Sequence, residues 1–209
     1  MIITYLGHEA FKIQFGNLVV AINPPSKNSQ FKMNKFGADV VLQTTLHDDM
    51  GGGTDMSYGD KQPFVISGPG EYETNGIFVQ GIGSESEYDG EKRTNTIYSL
   101  TIDGINTLFL GAQKGPLPSA ISEIIDEVDL LFVPIGGDGV YDAKEAYKTA
   151  MNLEPKLIIP MHFKNEKDES LKAFLKESGT QVSPVDKLTI KRKDIEGFEG
   201  QISVLSPQA

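Results

Sequence analysis

The chain holds three histidines and no cysteine. Any imidazole chemistry therefore rests on His8, His47 and His162. Each sits where an apolar run gives way to polar residues or glycine, in LGHEAF, LQTTLHDDM and IPMHF, and FLGAQKG has the same character. Strand ends of this kind are where α/β folds place their sites. His47 and Asp49 share one loop, so the carboxylate can staple the imidazole or both can ligate a metal. With His162 and His8 they offer a nitrogen and oxygen donor set suited to one zinc, manganese or iron ion. Glu71 and Glu85 are further carboxylates for such a site. Each residue also has a structural reading. His8 can hydrogen-bond a backbone carbonyl, His162 can be a satisfied histidine at a strand end, and Glu71 in GPGEYE can support a turn.

Other chemistries find less support. Without cysteine there are no disulfides, thiolate nucleophiles or cysteine zinc sites. No Gly-x-Ser-x-Gly elbow is present. Asp138 follows two glycines in GGDGVYD, but no GKS or GKT follows to make a phosphate loop. Tyr5, Tyr72, Tyr88 and Phe163 can line a pocket, although aromatic side chains more often serve the core. The net charge of −10 disfavours nucleic acid and anionic membrane as partners. No apolar run approaches the roughly 20 residues of a membrane span. MIITYLG has neither a basic leader nor a cleavage site, so the expected location is the cytoplasm.

Something must hold these residues together. MIITYL, AFKIQFG and NLVVAIN read as strands, with Gly16-Asn17 as a tight turn. A polar loop, PPSKNSQFKMNKFG, precedes the short buried strand ADVVLQT. After the glycine-rich DDMGGGTDMSYGD come strands at FVI, GIFVQGIG, NTIYSLTID and NTLFLG, broken by GPGEYE and by the charged loop SESEYDGEKR. The second half alternates. SAISEIIDEVD has amphipathic helical spacing, and DAKEAYKTAMNL starts with Asp142 as N-cap and Glu145 three residues on. DESLKAFLKESG is a helix capped by Gly179, and DLLFVPIGG and KLIIPMHF are buried strands. KLTIKRKD and GQISVLS close the chain as strands. A β half thus precedes a β/α half with no linker between them, which predicts one domain over residues 1–209.

The order and spacing of ITYLGHEAFKI, ADVVLQTTLHDDM, SGPGEYE, NTIYSL, LFLGAQ, VDLLFVPIGG, DAKEAY and PKLIIPMHFK resemble the metallo-β-lactamase fold superfamily, in its short branch of predicted zinc-dependent hydrolases. The resemblance implies an α/β fold. This is a four-layer αβ/βα sandwich, two mixed β-sheets between helical layers, with the site at one edge of the sheets. It also implies a His-x-His-x-Asp-His loop after the fourth strand, a mid-chain histidine, a bridging aspartate after Leu-Gly and a last histidine, together binding two zinc ions. This sequence keeps His47, Asp49 and His162. Thr45 and Met50 stand at two histidine positions, Ala112 at the bridging aspartate, and Asn23 where an aspartate before proline is common. The mid-chain loop has no histidine.

A catalytic zinc usually takes three protein ligands. The surviving groups divide between the two metal positions, so neither reaches three. The expectation is a degraded di-metal site with no cofactor at full occupancy, in a protein that binds or scaffolds. The alternative is a hydrolase of an ester, amide or phosphoester. There His47, Asp49, His162 and His8 would hold one zinc or other transition metal, with Asp49 as ligand or base. Asn23, Thr45, Met50, Glu71 and Ala112 are expected to line the site, and the smaller, more apolar replacements predict a drier, narrower cleft. The expected partner is a protein or a small molecule, and exposed sheet edges leave a homo-oligomer open.

Overall fold

The structure, a computed structural model, describes residues 1–208. Branched apolar residues alternating with polar ones build β1 (Ile2–Gly7), β2 (Ala10–Phe15) and β3 (Leu18–Ile22), which pair antiparallel. β4 (Val40–Leu42) and β5 (Phe64–Ile66) add parallel to β3, and β12 (Leu188–Thr189) pairs with β1. The second sheet starts with four antiparallel strands: β6 (Gly70–Thr74), β7 (Ile77–Ser86), β8 (Arg93–Ile102) and β9 (Ile105–Phe109). It continues in parallel through β10 (Leu130–Pro134), β11 (Leu157–Met161) and β13 (Gln201–Ile202).

Two mixed sheets, of six and seven strands, therefore face each other as the αβ/βα sandwich expected from the sequence. One apolar cluster draws on both, with Phe11 packed against Phe109 and Phe132 at ring separations of 5.9 and 4.7 Å. The opposite face of the first sheet buries Ala21 and Val41 against Met56 and Ala38, so loops rather than an α-helix cover it. All three α-helices come late: α1 (Ala120–Ile124), α2 (Ala143–Leu153) and α3 (Glu169–Ser178). Among the described residues no helix is long and apolar enough to cross a membrane.

The caps form as read. Asp142 accepts from the Glu145 N–H at 2.8 Å while Glu145 accepts from the Asp142 N–H, and Gly179 ends α3 at φ +66°. Several boundaries differ. GPGEYE contributes the edge strand β6, because its backbone pairs with β7 regardless of its glycines. β7 runs through Ser86, so the charged loop is shorter than expected, and a 3-10 turn at Tyr88–Gly90 completes it. α1 stops at Ile124, because Ile125 turns extended to lead into β10.

This topology brings strand ends together. The C-terminal ends of β1, β3 and β11 lead directly into His8, Asn23 and His162, and those of β4, β9 and β10 reach Thr45, Ala112 and Gly136 within a few residues. Tyr5 ties two of these ends across the sheets, its hydroxyl donating to the carbonyls of His8 and Phe163 at 2.7 and 3.1 Å. The His162 N–H also donates to the His8 carbonyl, at 2.6 Å.

Candidate functional site

At this edge the backbone is forced. His8, Asn23 and His162 take φ of +55, +46 and +66°, a region side chains with a Cβ seldom occupy. Strain of this kind costs on the order of 1–3 kcal/mol per residue and clusters at sites. Here it aims successive side chains in directions that strand alternation would not give. Gly136 is needed as glycine, since a Cβ there would collide with the His162 ring.

The expected ligands lie near one another but are already engaged. Asp49 is buried, and its two oxygens accept from the Ser29 hydroxyl at 2.5 Å and the Tyr88 hydroxyl at 2.7 Å. His47 Nδ1 accepts from the Asp49 N–H at 3.1 Å, so its proton is on Nε2, which faces Asp89 at 3.5 Å. The Asp49 carboxylate itself stands 3.5 Å from His47 Nδ1, so the staple runs mainly through the backbone. His162 Nδ1 lies 2.8 Å from Glu9, a carboxylate with no solvent exposure. Glu9 also accepts from Asn23 Nδ2 at 3.0 Å. Asn23 further donates to Thr44 Oγ1 and accepts from the Thr44 N–H.

Tyr88 stands in the middle. Its ring meets those of His47, His8 and His162 edge-on at 5.0, 5.4 and 5.6 Å. Burial first, and then the Asp49 hydrogen bond, pushes its phenol well above the usual range, so it stays a protonated donor. Met50, Ala112 and Val140 pack with Tyr88 in one apolar cluster. Thr45 turns aside to donate to Asn95 at 3.3 Å, and Asn95 also accepts from the Ala112 N–H.

Two expectations need correction. Glu71 does not line the site: it is exposed on the edge strand β6, where it accepts from Gln80. Glu85 is likewise exposed on β7, its carbonyl accepting from the Lys114 N–H. Met50, Ala112 and Val140 pack in an apolar cluster behind Tyr88. A cavity of about 610 Å³ opens in front, lined by His8, Phe31, Asp49, Tyr88, His162 and Lys164 among others.

Sequence reasoning missed Glu9 and Ser29, and named Tyr88 only as one of four aromatic residues that could line a pocket or serve the core. The one available signal for Glu9 was a carboxylate inside the otherwise apolar LGHEAF.

The sequence profile of the beta-lactamase superfamily domain matches residues 2–162. The chain belongs to that family. A protein of Lysinibacillus sphaericus named as a metal-dependent hydrolase is 25% identical over 78% of this chain and 85% of its own length. One of Thermococcus onnurineus with the same description is 26% identical over 77% of this chain and 84% of its own. A crystal structure from Thermotoga maritima, described as a candidate Zn-dependent hydrolase of the metallo-beta-lactamase superfamily, aligns with a TM-score of 0.75. It is 28% identical and covers 98% of this chain and 97% of its own.

The family implies a metal, and the residues present do not fit one. Among the described residues no three His, Asp or Glu side chains converge with ligand spacing. Asp49 gives both oxygens to hydroxyls, and His47 gives Nδ1 to a backbone amide. Tyr88 fills the space between the rings. A metal-bound arrangement would require the phenol to leave and Asp49 to be released.

His8 is the exception to this satisfied network. Both its ring nitrogens are buried without a hydrogen-bond partner, while the ring stacks on Phe31 at 4.3 Å. Burial, and then the neighbouring His162 and His47, hold its pKa well below the usual 6.5. Folded His8 stays neutral while the unfolded chain takes up a proton near pH 6.5. Its contribution is therefore intact above that pH and lost as pH falls, at up to about 1.4 kcal/mol per unit. Urea unfolding at pH 7.5 and 5.5 should show this loss, and His8→Asn, whose side chain tolerates the left-handed backbone, should flatten it by about 1 kcal/mol. An identical pH slope in the variant would refute the assignment.

Proposed function

We propose that this chain is a small-molecule-binding member of its family whose cleft works without the two-metal centre. One observation carries the reading: Tyr88 occupies the space among three histidine rings and holds Asp49 by a 2.7 Å hydrogen bond. The open cavity of about 610 Å³ supports binding, being of the size that small ligands use. His8 presents its ring to the cavity wall, stacked on Phe31, while its two nitrogens stay buried. The charge of −10 argues against nucleic acid as the ligand.

The rival reading is a single-metal hydrolase of an ester, amide or phosphoester. The names of the relatives favour it, and so does the proximity of His8 to His162, whose rings are 4.2 Å apart. It needs Tyr88 to swing out. Thermal denaturation with zinc, manganese or ferrous ion separates the two, because a ligand bound only by the folded state must raise its stability. The metal-free reading expects no rise in Tm with any of the three. A rise of several degrees at micromolar metal, absent in His162→Gln, would favour the hydrolase.

A further inference from the structure

We propose that His162 is the general base of a metal-independent ester hydrolysis in this cleft, positioned by the buried carboxylate of Glu9. The inference rests on the metal-free reading of the site. Glu9 has no solvent exposure, and among the described residues its polar partners are His162 Nδ1 at 2.8 Å and Asn23 Nδ2 at 3.0 Å. An ionised carboxylate only accepts, so Nδ1 carries the proton and the lone pair is left on Nε2. That nitrogen has no hydrogen-bond partner among the described residues and, unlike the His8 nitrogens, is not buried. It belongs to a side chain lining the cavity. A buried acid orienting an imidazole whose other nitrogen faces a cavity is the base-and-orienter half of a hydrolytic site.

The surroundings suit the charge changes. Glu9 stabilises the imidazolium that forms when His162 takes a proton. His8, 4.2 Å away and held neutral by burial, adds no opposing charge. Lys164 lines the same cavity beside Asp168, with which it interacts electrostatically, and its ammonium is the positive charge nearest in sequence to His162 that an oxyanion could meet. The Lys32 ammonium is already committed to the carbonyls of Lys27 and Ser29. Phe31 and Phe163 give the cavity apolar walls, which suits an uncharged carboxylic ester.

Nε2 removes a proton from water while the water oxygen bonds to the ester carbonyl carbon. The tetrahedral intermediate then breaks its bond to the alcohol oxygen, which receives the proton from His162. An acid and an alcohol leave, and nothing is oxidised or reduced. His162 is the catalytic residue and Glu9 a positioning residue.

The test is steady-state hydrolysis of 4-nitrophenyl acetate by protein stripped with a chelator. Turnover should persist without metal, and His162→Gln should lower kcat about 100-fold or more. Glu9→Gln should lower kcat about tenfold with KM unchanged, a split that general loss of structure would not produce. No difference between wild type and His162→Gln in stripped protein overturns this inference and leaves the binding reading standing. Turnover that appears only when zinc is restored overturns both. Labelling of the wild type with diethyl pyrocarbonate avoids any dependence on variants. The Nε2 lone pair attacks its carbonyl and ethyl carbonate departs. Mass spectrometry should find His162 modified before His8, and a protected His162 contradicts the proposal.

Discussion

Tyr88→Ala should destabilise the protein by about 3–5 kcal/mol, the usual cost of truncating a buried aromatic ring, and should create zinc binding that the proposed metal-free reading does not expect of the wild type. The phenol contacts three imidazole rings and the Asp49 carboxylate, and packs with Met50, Ala112 and Val140. Removing it releases Asp49 Oδ2 and clears the space between His8, His47 and His162. Zinc at about one hundred times its dissociation constant would restore about 2.7 kcal/mol to the variant. Tyr88→Phe keeps the ring and loses only the hydrogen bond, so it should cost about 1.5–3 kcal/mol, as for a bond to a charged group, and gain no zinc response. Urea unfolding of the three proteins with and without zinc reads all of this. A zinc-indifferent Tyr88→Ala variant would show that the phenol is not what keeps metal out.

The second large effect is at Asn23. Its Nδ2 donates to Glu9 at 3.0 Å and to Thr44 Oγ1 at 2.9 Å, in a site with no solvent exposure. Asn23→Asp introduces the residue that the family resemblance implies at this position and is expected to be harmful here. An aspartate cannot donate, so two carboxylates would face each other in the interior. At an effective dielectric of about 20 that repulsion is on the order of 5 kcal/mol, less once one group takes a proton. The pair's folded-state affinity for a proton is raised, so the variant regains stability as pH falls from 7 towards the ordinary carboxylate range. Chemical unfolding at pH 7 and pH 5 should show a loss of about 3 kcal/mol or more at the first, smaller at the second. The double change Glu9→Gln with Asn23→Asp gives the aspartate a donor and should recover much of the loss. Asn23→Asp with wild-type stability at pH 7 would mean that Glu9 is not the charged partner.

These two residues mark where sequence reading reached and where it stopped. Strand positions were legible because alternating branched residues and glycine turns are local signals, as in β1 to β3. The departures at Thr45, Met50, Ala112 and Asn23 were also legible, since each follows a recognisable strand. The partners these positions find in the folded chain were not. Glu9 enters the interior because the chain shifts register between Tyr5 and Gly7 and His8 turns left-handed, which breaks the alternation that would have placed it. Tyr88 reaches Asp49 from a turn 39 residues away, held by Ser86 Oγ accepting its N–H. A partnership at that separation leaves no periodic trace. Glu71 failed the other way: a carboxylate beside glycines suggested a site, and backbone pairing put it on an outer edge.

On the proposed metal-free reading these departures from the family pattern belong together. Asn in place of Asp at position 23 supplies the donor that Glu9 needs, and Ala112 and Met50 make room for the ring of Tyr88. The polar edge of the sandwich is a hydrogen-bonded network with one unpaired histidine, His8, and one imidazole, His162, lining the cavity.

The most direct measurement of the central claim is the transition-metal content of wild-type protein purified without chelator, by elemental analysis. The account expects well under a tenth of an equivalent of zinc, manganese or iron. Close to one equivalent, lost when His47 and His162 are both replaced by alanine, would contradict it.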